Sequence, residues 1–158
     1  MGDAFPWGDA SSRDYDHQAE TAATMPFYTS TERLYAATSV FFERVGKEFP
    51  HAGDAILKQR MTVRLATVEP AGVFGLDGRH APLKPHIGAV PFRPELDIEM
   101  PADMLHAILM GQTSIRSGLA SGKLKARGAI LKALSLSGLF QQGQKVYPQV
   151  LREQGLIK

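Results

Sequence analysis

Three glycines limit what the second half of this chain can fold into. Gly111, Gly122 and Gly128 belong to an Asp-x7-Gly-x10-Gly-Lys-Leu-Lys-x-x-Gly run that starts at Asp103 and leads into a leucine-rich stretch ending at Phe140. A glycine that stops a helix in the left-handed conformation, or turns the chain sharply, leaves only short elements on either side. The spacing predicts a short helix from Pro101 to Leu109, a second short helix from Ser114 to Leu119, a strand over 123–127, and an apolar helix over 130–140. Pro101 suits the first helical position, and Asp103 puts a carboxylate at the positive end of that helix. No catalytic group recurs among these positions, which suits an apolar compartment better than a reaction centre.

The rest of the chain reads in the same terms. Thr29 and Glu32 fit a capping box, followed by Leu34, Thr38, Phe41, Val45 and Phe49 at helical spacing, widened by Tyr35 and Phe42. Pro50 ends that helix at the residue before it. A short helical turn is expected over 52–59. From Met61 to Val68 the period changes to two, with Met61, Val63 and Leu65 on one side and Thr62, Arg64 and Ala66 on the other, as in a half-buried strand. Residues 70–95 hold five prolines and four glycines. A short strand over 73–76 turning at Asp77-Gly78 is expected there, with another over 87–90, at a sheet rim rather than its centre. Leu96 to Met100 alternates again. Lys123, Lys125 and Arg127 point three cations outward from one strand while Leu124 and Ala126 face in, which also blunts edge pairing. Pro148 opens a last helix with Val150 and Leu151 buried. Ahead of all this, residues 1–28 read as an irregular or flexible arm, although Phe5, Trp7, Tyr15, Phe27 and Tyr28 are many aromatics for a solvated tail. The domain proper is residues 29–158.

Length and composition exclude several classes. A chain of 158 residues makes one domain and buries roughly 70% of its unfolded surface, enough for a core and some lining to spare. The absence of cysteine removes disulfides, thiol nucleophiles and Cys-based metal sites. Eighteen basic and 16 acidic side chains leave too small an excess to signal nucleic acid. No apolar run is long enough to span a membrane, and no secretory leader pattern is present. These features predict a soluble, cytoplasmic protein with no nucleic-acid partner.

Taken in order, the strand at Leu96, the acidic helix start at Asp103, the stop at Gly111, the Gly122-Lys123-Leu124-Lys125 turn closing at Gly128, and the helix ending in Leu139-Phe140 resemble the sterol carrier protein type two family of lipid-binding domains. The likeness covers about the last hundred residues. It implies an α/β (α+β) fold: a five-stranded, mostly antiparallel sheet covered on one face by helices, with a hydrophobic cavity or tunnel between them. It implies non-covalent binding, and transport, of a fatty acid, fatty acyl-CoA, sterol or related lipid, with no cofactor and no metal. The chain departs from the family pattern at Gln112, where a Lys often follows the glycine, in a shortened proline-rich middle hairpin, and in a C-terminus without a peroxisomal signal.

The residues point the same way. A helix apolar on all sides must be buried on all sides or line a cavity; the 130–140 segment therefore needs a cover from the last helix, a partner subunit or a lipid. Periodicity and the resemblance together select Leu105, Ile108, Leu109, Ile115, Leu119, Leu134, Leu139, Phe140, Val146 and Val150 as ligand-binding candidates. Lys123, Lys125, Arg127 and Lys132 are the candidates for contact with a lipid head group or an anionic membrane surface. Two other functions use the same features: an enzyme or enzyme accessory acting on a hydrophobic substrate, with Asp77, His80 or His106 as acid–base groups, and an oligomeric structural protein, such as a homodimer, joined through the apolar helix. Asp77, His80 and His86 have no metal-site spacing, Asp103 and His106 share a helix face, and Ser114, Ser117 and Ser121 lack a nucleophile-elbow context.

Overall fold

A computed structural model describes residues 25–158; Phe5, Trp7, Tyr15 and most of the expected arm lie outside the described residues. Helix α1 runs from Thr31–Glu48. It is capped one residue later than expected: the Ser30 hydroxyl accepts from the Arg33 amide at 3.1 Å, and Glu32 is left exposed. Its buried stripe is Leu34, Ala37, Thr38, Phe41 and Val45. A one-turn helix, α2 (Asp54–Lys58), precedes strand β1 (Thr62–Val68), and β2 (Gly72–Asp77) returns beside it. The proline-rich segment contributes β3 (Lys84–Ile87), earlier in the chain than the expected 87–90. Strand β4 (Leu96–Pro101) leads directly into α3 (Ala102–Leu109), so Pro101 is the cap rather than the first helical residue. Then come α4 (Ile115–Ser121), capped by Ser114, and β5 (Lys125–Gly128).

The strands form one sheet in the order β3-β2-β1-β4-β5. The β1–β4 pair is parallel and the other three pairs are antiparallel, so the sheet is mixed and mostly antiparallel, as the sequence implied. Register sets the two faces. Val63 pairs with Leu76 and Leu96, and Leu65 with Phe74 and Ile98, building a continuous apolar layer against the helices. The opposite face carries a polar row across Gly75, Arg64, Asp97 and Arg127. There the Asp97 carboxylate accepts from Arg64 Nη1 at 2.9 Å and lies 3.9 Å from Arg127 Nη2. Strand β1 is nonetheless more buried than a half-exposed strand should be, since Thr62 and Ala66 on that outer face are also covered. A cover is visible beside them: a Cβ on Gly75 would meet Val90 and Phe92 at 3.1 Å, so the proline-rich loop lies across the outer face.

The leucine-rich segment departs most from expectation. It is a 3₁₀ helix over Ile130–Leu136 followed by α5 (Ser137–Gly143). Only Ala133 and Leu136 of the 3₁₀ turn are buried, whereas Leu131 is 95% exposed, Ile130 47% and Leu134 38%. Two causes combine. The change of helix type alters the repeat, so that positions three apart eclipse and fewer residues can face inward. Gly128, at φ +89° with no room for a Cβ beside the Glu95 carbonyl, pins the chain close to the sheet where the turn begins. The last helix, α6 (Tyr147–Glu153), buries Val150 and Leu151 as expected.

Candidate functional site

Between the inner sheet face and the helices lies an apolar pocket. Helix α1 supplies Thr38, Phe41 and Phe42; the sheet supplies Leu65 from β1 and Phe74 and Leu76 from β2; α3 supplies Leu105 and Leu109, and α5 supplies Phe140. The free volume is about 10 Å³, roughly the space of one water molecule. Thr38 is the polar side chain of the lining, and its hydroxyl is already committed, donating to the Leu34 carbonyl at 2.7 Å. No acid, base or nucleophile converges there. Such a wall offers a ligand shape and apolar burial.

The ten candidates from the sequence separate on this frame. Leu105, Leu109 and Phe140 line the pocket. Ile108, Ile115, Leu139, Val146 and Val150 are buried elsewhere in the interior, and Leu119 packs half-buried against its edge. Leu134 lies on the outward side of the 3₁₀ turn. The lining residues outside that set belong to α1, β1 and β2. Their signal was present in the wide aromatic stripe of α1 and the alternation of the strands; their meeting across the chain was not.

The four cations are at the surface, three of them beside carboxylates. The Lys132 ammonium donates to Glu95 at 2.6 Å, Arg127 is paired in register with Asp97, and Lys125 with Glu99. Lys123 is exposed beyond the end of α4.

A buried polar chain backs one wall of the pocket. The hydroxyls of Tyr28 and Tyr147 are 2.7 Å apart, and the Tyr147 hydroxyl is 2.7 Å from His106 Nδ1. The Tyr147 ring meets the pocket residue Phe41 edge-on at 5.9 Å. Phe27 stacks on His106 with centroids 3.7 Å apart, and its amide donates to Asp103 at 2.9 Å. Residues 27 and 28 thus join the body. Burial drives the Tyr28 phenol up to about 12, against the opposing Tyr147 hydrogen bond, and raises Tyr147 as well. His106 is pushed down, by burial first, with the Asp103 charge pulling the other way. Neutral forms are favoured throughout, as in a structural network.

Asp77 is held by Arg79, which donates from Nε at 2.9 Å and Nη2 at 2.7 Å and keeps the carboxyl well below the usual range. Among the described residues, no three His, Asp or Glu side chains come together as a metal site would require. No described helix is long and apolar enough to cross a membrane.

No protein-family model matches this sequence, and no curated protein matches it. Solved structures do. The sterol carrier protein domain 2 of Helicoverpa armigera aligns with a TM-score of 0.55 at 13% identity, covering 72% of this chain and 89% of that one. The apo form of sterol carrier protein 2 from Yarrowia lipolytica gives 0.51 at 17% identity, covering 64% and 85%. The chain also spans 14% of the length of the sec-alkylsulfatase Pisa1 from Pseudomonas sp., with a TM-score of 0.45 and 16% identity over 57% of this chain. With a mixed five-stranded sheet, one helix-covered face and a likeness to two sterol carrier structures over most of its length, the protein has the sterol carrier protein 2 fold.

Proposed function

We propose that this protein binds a long apolar lipid non-covalently between its inner sheet face and helices α1, α3 and α5, and hands it on. The observation that carries this reading is the pocket wall: eight apolar side chains and one threonine whose hydroxyl is already satisfied. The likeness in fold to proteins named sterol carriers supports it. The ligand class is a fatty acid, fatty acyl-CoA, sterol or related isoprenoid.

A water-sized void must widen to admit such a chain, because sites for small molecules occupy about 300–1,000 Å³. The lipid therefore parts α1 and α5 from the sheet as it enters. Apolar burial contributes about 25 cal/mol per Å², less the cost of that rearrangement and of immobilising the ligand. Leu105, Leu109 and Phe140, with Phe41, Phe42 and Phe74, take the tail. The polar head remains outside the apolar wall; of the four candidate cations, Lys125 and Arg127 belong to the outer face of the sheet, which leaves Lys123 and Lys132 for the head group.

Native mass spectrometry of the freshly purified protein, followed by solvent extraction, tests this directly. The expected result is a stoichiometric adduct that disappears on denaturation and is recovered as a long-chain lipid. A clean protein mass that persists after incubation with fatty acids, acyl-CoA and sterols would sink the proposal.

A further inference from the structure

The lipid pocket leaves one feature unused. Three of the four exposed large hydrophobic side chains among the described residues are Ile130, Leu131 and Leu134, all on the single 3₁₀ turn. Leu131 and Leu134, three apart, lie one above the other on the same side of that turn. The turn is held on several sides. Ala133 and Leu136 are buried beneath it, Lys132 is tied to Glu95, and Ser135 accepts from Gln59 at 2.5 Å. The apolar tip is therefore presented on a fixed base.

Its surroundings are cationic. From Met104 to Arg152 the sequence holds seven Lys and Arg and no Asp or Glu, while the rest of the chain is net acidic. The turn packs on α2, α4 and β5. On and after those elements, Lys58 of α2, Arg116 of α4 and Lys123 beyond α4 are exposed, with no carboxylate partner among the described residues; the acids of the same neighbourhood are Asp54 on α2, beside His51, and Glu95, bound to Lys132. An apolar tip carried among elements that bear exposed cations is complementary to a surface that is anionic outside and apolar within. A second copy of the chain fits poorly, because two-fold contact through Leu131 would set like charges against each other.

We infer that the 3₁₀ turn over Ile130–Leu136 is a membrane-docking tip, with Leu131 and its two apolar neighbours entering the head-group layer of an anionic bilayer while Lys58, Arg116 and Lys123 contact lipid phosphates and carboxylates. This goes beyond the carrier reading, because a chain that docks on vesicles and yields no extracted lipid keeps the docking tip and loses the carrier role.

The test is co-sedimentation of the full chain with phosphatidylcholine vesicles, with and without phosphatidylserine, at low and high salt. Binding is expected only with phosphatidylserine, and to weaken as salt is added. Leu131→Ser, at a position with no core contact to lose, should reduce partition about tenfold. The double variant Arg116→Gln/Lys123→Gln should reduce it about fivefold per charge removed, with its circular dichroism unchanged. Failure of the full chain to bind phosphatidylserine vesicles overturns the inference, and so does full binding by Leu131→Ser. A concentration-dependent dimer that Leu131→Ser abolishes, in a chain that ignores vesicles, would assign the tip to self-association instead.

Discussion

Phe41 lines the pocket, and a glycine makes its position possible. The ring stands edge-on to Phe42 at 5.1 Å and to Tyr147 at 5.9 Å. A Cβ on Gly143 would overlap its edge. Glycine in a helix ordinarily costs about 1 kcal/mol against alanine; here that cost is offset by the close approach of α5 to α1. Gly143→Ala should therefore destabilise the fold by about 1–3 kcal/mol through overpacking, in place of the gain expected at an open helical site. Urea unfolding measures it, and a stabilised variant would show that α5 gives way easily. From sequence alone, Gly143 is only an unfavourable residue in a helical stretch. Its role depends on a ring about a hundred residues earlier.

At the scale of elements, α3 joins the two ends of the described chain. It holds Phe27 through Asp103 and His106, and α6 through the hydrogen bond between His106 and Tyr147. That junction makes stability depend on pH. The His106 pKa is lowered from 6.5 in the folded state, so the unfolded chain binds its proton more readily. The resulting contribution is fully present above pH 6.5 and is lost as pH falls from there toward the folded value, where it levels off. The thermal midpoint should thus drop on mild acidification. His106→Gln, which can still accept from Tyr147 but does not titrate, should flatten that part of the profile; an unchanged slope would place the dependence on other groups. The two short helices and the strand that the three glycines predict are present, with caps at Ser114 and Gly122 as the sequence placed them, whereas the apolar helix expected over 130–140 is a 3₁₀ turn followed by α5. The shift from Thr29 to Ser30 at the start of α1 separates two adjacent hydroxyl residues that sequence alone barely distinguishes.

For the whole molecule, the proposed binding of an apolar lipid implies linkage. A ligand that binds only the folded chain stabilises it by an amount set by its concentration over its dissociation constant, about 2.7 kcal/mol at a hundredfold excess. A long-chain fatty acid should raise the thermal midpoint by several degrees, and a short-chain acid at equal concentration should not, since it buries too little apolar surface. Equal shifts from both would point to surface binding. Sequence by itself determined most local features: the period of every long element, the glycine stops, the Ser114 cap and the inner and outer faces of the strands. It also carried enough ordered spacing to indicate the sterol carrier fold. These depend on interactions within a few residues, which hydrophobic periodicity records. Tertiary structure decided which apolar faces meet. It brought Phe41, Phe74 and Phe140 to one wall from three elements, set Tyr28 beside Tyr147, and turned Leu131 out to solvent where an all-apolar helix was expected inside. Packing across long separations makes those choices, and the periodicity of any one segment contains no record of its distant neighbours.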